Sequence, residues 1–101
     1  MKLVIQIPAW NEETHLGETI DALPRQVEGF DELEVLVVDD GSDDGTAEVA
    51  RRHGASVLRL PVHRGLAVAF SRGLARAIEL GADVIVNTDA DNQYDASDIP
   101  S

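Results

Sequence analysis

Cysteine is absent from the 101-residue chain, and no apolar run approaches the roughly 20 residues that a bilayer-spanning helix needs. The first absence excludes disulfides and thiolate metal sites and is compatible with a reducing cytosol. The second, with no signal peptide at the start, reads as a soluble, cytoplasmic chain. Basic residues are few, 8 against 19 acidic ones, and the formal net charge of −11 disfavours non-specific binding to nucleic acid or anionic membrane. His15, His53 and His63 are not spaced as metal ligands, so no zinc site is expected, and His53 and His63 read as surface residues.

What is present is a globular composition, 44% hydrophobic, in a length that allows one domain with a single core. The most informative stretch runs from Val84 to Tyr94, where the apolar residues Val84, Ile85 and Val86 give way to Asp89 and Asp91, one residue apart. An unalternating apolar run suits a strand covered on both faces, as in a parallel sheet flanked by helices, and ligands of such sheets collect at the carboxyl ends of the strands. Two carboxylates on one turn suit a hard divalent cation. A solvated acidic turn would look the same.

The rest of the chain repeats this layout. Leu3–Ile7 is a strand ending at Pro8, followed by the polar turn Pro8-Ala9-Trp10-Asn11-Glu12-Glu13 and a helix marked by Leu16, Ile20 and Leu23, with Asn11 as its cap and Pro24 as its end. Val35–Val38 is a second strand, ending in Asp39-Asp40-Gly41-Ser42-Asp43-Asp44-Gly45-Thr46. Ser42, Asp43 or Asp44 caps a helix to about His53, with Gly54 as its C′ residue. Ser56–Leu60 is a third strand. A third helix runs from about Gly65 to Leu80, its apolar face marked by Leu66, Phe70, Leu74, Ala77 and Ile78, while Ala67, Ala69, Gly73 and Ala75 allow close approach to the sheet. The predicted fold is a three-layer α/β/α structure of order β-α-β-α-β-α-β with a mainly parallel, Rossmann-like sheet. Right-handed crossovers bring three polar turns to one rim.

In order and position these turns resemble the nucleotide-sugar half of inverting family 2 glycosyltransferases with the GT-A fold. The residues that carry the likeness are Pro8-Ala9-Trp10-Asn11-Glu12, Val37-Val38-Asp39-Asp40-Gly41-Ser42 through Thr46, Arg64-Gly65-Leu66 with Arg72-Gly73, Asp89-Ala90-Asp91-Asn92-Gln93 and Ile99-Pro100. Within the family the likeness is greatest to polyprenyl- or dolichol-phosphate mannosyl- and glucosyltransferases.

The resemblance implies that Pro8, Trp10 and Glu12 line a nucleoside pocket, Trp10 standing where the family usually has tyrosine, and that Val38 and Asp40 contact the base. It implies that Asp91 binds Mg²⁺ or Mn²⁺, supported by Asp89 and Gln93, with Ala90 between them at the nucleotide sugar, and that Arg72 approaches the diphosphate. The donor would be a GDP- or UDP-sugar and the acceptor a polyprenyl phosphate or similar, for a parent protein at the cytoplasmic face of a membrane. Family members continue into an acceptor half that carries an acidic general base. Residues 1–101 are therefore expected to be the nucleotide-sugar-binding part of a truncated catalytic domain, with no catalytic base assignable and a homo-oligomer formed through an exposed strand or helix face.

Plainer readings stand beside this one. Pro8 to Glu12 alone is a helix start, Asp39 to Thr46 alone a turn with a cap, and the isolated chain could be a non-catalytic nucleotide-binding or assembly module. Other functions fail on spacing. A calcium loop begun at Asp40 would put Arg51 where glutamate is required, and no Gly-x-Gly-x-x-Gly follows the first strand. A phospho-acceptor signalling domain would carry its acidic pair after the first strand, and a sugar nucleotidyltransferase would carry a glycine-rich basic turn there.

Overall fold

The structure, a computed structural model, describes residues 1–88. Strands β1 (Lys2–Ala9), β2 (Glu32–Asp39), β3 (Ser56–Arg59) and β4 (Val84–Asn87) form one sheet in the order β3-β2-β1-β4, and every pairing is parallel. Helices α1 (Leu16–Asp21), α2 (Thr46–Arg52) and α3 (Leu66–Glu79) make the crossovers. β1 is apolar almost throughout because it is covered twice. Leu3, Ile5, Ile7 and Ala9 pack with Leu16 and Ile20 of α1 and with Val49 and Ala50 of α2. On the other face Val4 joins Leu36 and Val38 of β2 with Ala69 and Ala77 of α3. This is the expected three-layer α/β/α arrangement.

The chain steps outward from β1 to β2 to β3, and α3 then returns across the sheet to put β4 on the far side of β1. The switch point lies between β1 and β4, and the crevice above the carboxyl ends there is the general ligand position of such sheets.

Four local expectations are corrected. β1 continues through Pro8, paired with Val38, because Pro8 turns its nitrogen to the β4 side two positions past the Gln6↔Asn87 pair that ends the β1–β4 ladder as described. β4 is not covered twice: Ile85 packs beneath α3, while Val84 and Val86 are 38% and 44% exposed. They share a face with Leu3 and Ile5, but α1 and α2 do not reach that far. On α3 the residues buried against the sheet are Leu66, Ala69, Gly73 and Ala77; Phe70 and Leu74 sit half-buried on the flank away from β3, and Ile78 is 67% exposed. Ala67 and Ala75 also face away. Val84 and Val86 on one face of the sheet, and Ile78 on the outer side of α3 on the other, are exposed apolar residues on β4 and α3. Finally, α1 is capped at His15 rather than by Asn11 and ends at Asp21, ahead of Pro24.

Glu34 links three strands. Its Oε1 lies 2.8 Å from Lys2 Nζ on β1, and its Oε2 accepts the Ser56 hydroxyl of β3 at 2.6 Å. The Lys2 ammonium first, and the Ser56 hydroxyl second, hold the Glu34 carboxyl below its ordinary value of 4.5. A depressed carboxyl contributes stability above its unfolded value and loses it as the pH falls through the folded one. Glu34→Gln is expected to lose about 0.5–1 kcal/mol at pH 7 and less in acid, once the carboxyl is protonated, measured as urea midpoints under the two conditions. An equal loss at both would remove the ionic explanation.

Candidate functional site

Two of the three rim turns are fastened together. The Asn11 N–H donates to Ser42 Oγ (2.9 Å), the Asp43 N–H to Asn11 Oδ1 (2.9 Å), and the Glu12 N–H to the buried Thr46 hydroxyl (2.9 Å). The Glu13 N–H donates to Asp44 Oδ2 (3.3 Å), and Glu13 Oε2 in return accepts the Gly45 N–H (2.9 Å). Asn11 adopts φ 52°, a left-handed conformation that asparagine tolerates better than most residues. Its side chain therefore serves the β2–α2 turn. The N-cap of α2 is Gly45, not Ser42, Asp43 or Asp44, though Asp44 Oδ1 accepts the Thr46 N–H at 3.0 Å.

The third expected turn, Asp89 to Gln93, lies outside the described residues; a different turn, between β3 and α3, closes over Asp40. This carboxylate has no solvent exposure. Its Oδ1 accepts the Arg64 N–H at 2.8 Å, its Oδ2 accepts the Gly65 N–H at 2.9 Å, and His63 Nδ1 lies 2.9 Å from Oδ2. The His63 ring stacks on Trp10, with centroids 4.0 Å apart and planes 21° from parallel. The close approach needs Gly41, at φ 71°: a Cβ there would lie 2.3 Å from the His63 nitrogen and from the Val62 carbonyl carbon. Next to this, Asp39 Oδ1 accepts the Ser42 N–H, and its Oδ2 lies 3.6 Å from Arg59 Nε.

Of the residues expected at a nucleoside pocket, Trp10 and Asp40 are therefore joined through His63. Pro8 and Val38 are cross-strand neighbours beneath them. Val38 is wholly buried under α3. Glu12 is 2% exposed, inside the junction of the first two turns, and its carbonyl accepts the N–H groups of His15 and Leu16 that open α1. Arg72 lies with Leu58, Leu60 and Arg76 on the β3 side of α3, across the sheet from β4 and away from the expected diphosphate position. Asp89, Ala90, Asp91 and Gln93 lie outside the described residues; Thr88, directly before them, extends β4 by donating its N–H to the Gln6 carbonyl. Among the described residues no group of three or more His, Asp or Glu side chains is arranged to hold a metal ion.

His63 is the site residue that sequence reasoning missed. Its signal was modest: a ring-bearing residue directly before Arg64-Gly65, in the turn at the carboxyl end of β3. Together with Trp10 it gives the rim a flat surface and a hydrogen-bonding edge, a combination suited to a planar heteroaromatic ring.

Comparison with known proteins bears on what such a rim serves. An uncharacterized protein of Methanocaldococcus jannaschii is 37% identical over 97% of this chain and 39% of its own length. The undecaprenyl-phosphate mannosyltransferase of Micrococcus luteus is 35% identical over 99% of this chain and 42% of its own length. Glucosyl-3-phosphoglycerate synthase of Mycobacterium tuberculosis, solved with Mn²⁺, UDP-glucose and phosphoglyceric acid, superposes with a TM-score of 0.72 at 34% identity, over 89% of this chain and 33% of that one. The chain thus spans well under half the length of these relatives. Among the described residues no helix is long and apolar enough to cross a membrane. A profile of glycosyl transferase family 2 matches residues 4–101, and the chain belongs to that family.

Proposed function

We propose that this chain is the donor-nucleotide part of a metal-dependent, inverting glycosyltransferase that moves a sugar from a nucleoside diphosphate to an acceptor such as a polyprenyl phosphate. The observation that carries this reading is the convergence of three βα turns on one rim beside the β1–β4 switch point, in a chain of this family. Pro8, Trp10, Glu12, Val38 and Asp40 frame the nucleoside, and β4 leads directly into Asp89-Ala90-Asp91 and Gln93. The donor set of two carboxylates and an amide oxygen fits Mn²⁺ or Mg²⁺, with Asp91 as the main ligand. A divalent ion bound there supplies charge stabilisation for the departing diphosphate. The UDP-glucose and Mn²⁺ of the solved glucosyl-3-phosphoglycerate synthase support that assignment, and the undecaprenyl-phosphate mannosyltransferase supports a lipid-phosphate acceptor.

Calorimetric titration with UDP and with GDP, each with and without Mn²⁺, tests it. Metal-dependent binding of one nucleotide is expected, weakened at least tenfold by Asp91→Asn. A folded chain that binds neither nucleotide overturns the reading. The alternative, a nucleotide-binding module without transferase activity, gives the same titration and is separated from the first by assaying sugar transfer.

A further inference from the structure

We infer that Arg59 is a positioning residue for the nucleoside rim, acting through Asp39 and Ser42; its effect on nucleotide affinity rests on the nucleotide-binding reading above. Asp39 and Arg59 are cross-strand partners at the carboxyl ends of β2 and β3. The Asp39 carboxylate is 1% exposed, and its Oδ2 has no hydrogen-bond partner among the described residues. A buried carboxylate is costly unless a cation stands close by. Arg59 supplies that cation: its Nε lies 3.6 Å from Oδ2, while its Nη2 donates to the Ser42 carbonyl at 3.3 Å. Asp39 Oδ1 takes the Ser42 N–H at 3.0 Å, so Ser42 is held at both ends of its backbone. Its hydroxyl in turn accepts the Asn11 N–H at 2.9 Å, and Asn11 directly follows Trp10, whose ring stacks on His63 beside Asp40. One guanidinium on the edge strand is thus linked to the first rim turn. A planar fork can serve a carboxylate and a carbonyl together, which the point charge of a lysine cannot. The Arg59 side chain is 57% exposed, so its loss bears on the set of the turns more than on the core.

Affinity, melting temperature and Trp10 exposure, measured on the same variants, separate positioning from plain support of the fold. With UDP and GDP in the presence of Mn²⁺, Arg59→Gln is expected to bind about fivefold more weakly than the wild-type chain, with a melting temperature within about 3 °C of it. A lower melting temperature with unchanged affinity would make Arg59 a support for the fold and overturn the inference. Asp39→Asn removes the buried charge but keeps an oxygen for the Ser42 N–H, so the double variant Asp39→Asn/Arg59→Gln is expected to return to within about twofold of wild type. No recovery in the double variant would remove Asp39 from the path and overturn it as well. Arg59→Lys keeps the charge and loses the fork, and is expected to bind about twofold to threefold more weakly. Should Arg59→Gln fail to fold, wild-type affinity in Arg59→Lys overturns the inference. Trp10 is the only tryptophan, so acrylamide quenching of its emission follows the rim without any nucleotide. Quenching is expected to rise in Arg59→Gln and fall back in the double variant; unchanged quenching breaks the link from Arg59 to Trp10. If quenching changes in this way but the wild-type chain binds neither nucleotide, the nucleotide-binding reading alone has failed.

Discussion

Gly73→Ala is expected to destabilise the domain by about 2 kcal/mol, lowering its melting temperature by roughly 10 °C, although the same change in an isolated helix gains about 1 kcal/mol of propensity. The cause is the depth at which α3 lies on the sheet. A Cβ at position 73 would sit 2.3 Å from Gln6 Nε2, 2.5 Å from Gln6 Cδ and 2.7 Å from Val38 Cγ2. The Gln6 amide is the end of a flexible side chain, but it is fully buried and donates to the Phe70 carbonyl at 2.9 Å. Neither it nor Val38, fully buried near the carboxyl end of β2, has room to yield, so α3 must lift. Gln6→Ala removes two of the three obstructing atoms. It also removes a buried carbonyl oxygen that has no hydrogen-bond partner among the described residues. Gly73→Ala should therefore cost less in a Gln6→Ala background, where only the Val38 contact remains, and a double-mutant cycle by thermal unfolding would read this as coupling. A rise in melting temperature for the single variant would rule out the close packing.

The second large effect is expected at Asp40. Alanine there strips acceptors from the Arg64 and Gly65 N–H groups and from His63, and hydrogen bonds to a charged group contribute about 1.5–3 kcal/mol each. Some of these donors regain water, so a net loss of about 3 kcal/mol is expected for Asp40→Ala. Asparagine should lose less, about 1–2 kcal/mol, because one oxygen still accepts while its amide nitrogen faces a donor. Urea unfolding followed by Trp10 emission measures both the loss and the release of the Trp10–His63 stack. A stability within 0.5 kcal/mol of wild type for Asp40→Ala would show that the β3–α3 turn does not depend on this carboxylate.

Much of the architecture could be read from residues close together in the chain. Unbroken apolar runs marked β1 and β2, and Gly54 and Gly81 stood where helices end, with φ 89° and 86°. The acidic turns stood at strand ends, and the crossovers required a parallel sheet. The errors arose where a residue's partner lies far along the chain. Val84 and Val86 have the same apolar character as Leu3 and Ile5, yet they are exposed because, among the described residues, no helix covers that face of β4. Asn11 looked like a cap for the helix that follows it, but its oxygen accepts the N–H of Asp43, 32 residues away. His63 is exposed, as expected, but nothing near it in sequence announces its contacts with Trp10 and Asp40.

By itself, then, the sequence determined the order of elements, the parallel sheet, the family and the polar turns at the ends of β1 and β2, since each depends on local periodicity, turn residues or a contiguous motif. Only the tertiary structure decided that Asp40 is sealed beneath the β3–α3 turn, that Asn11 fastens two turns together and that His63 stands at the rim. Those outcomes depend on which side chains meet when strands far apart in the chain are brought into register, and hydrogen-bond geometry and steric fit at that distance leave no periodic trace in the order of residues.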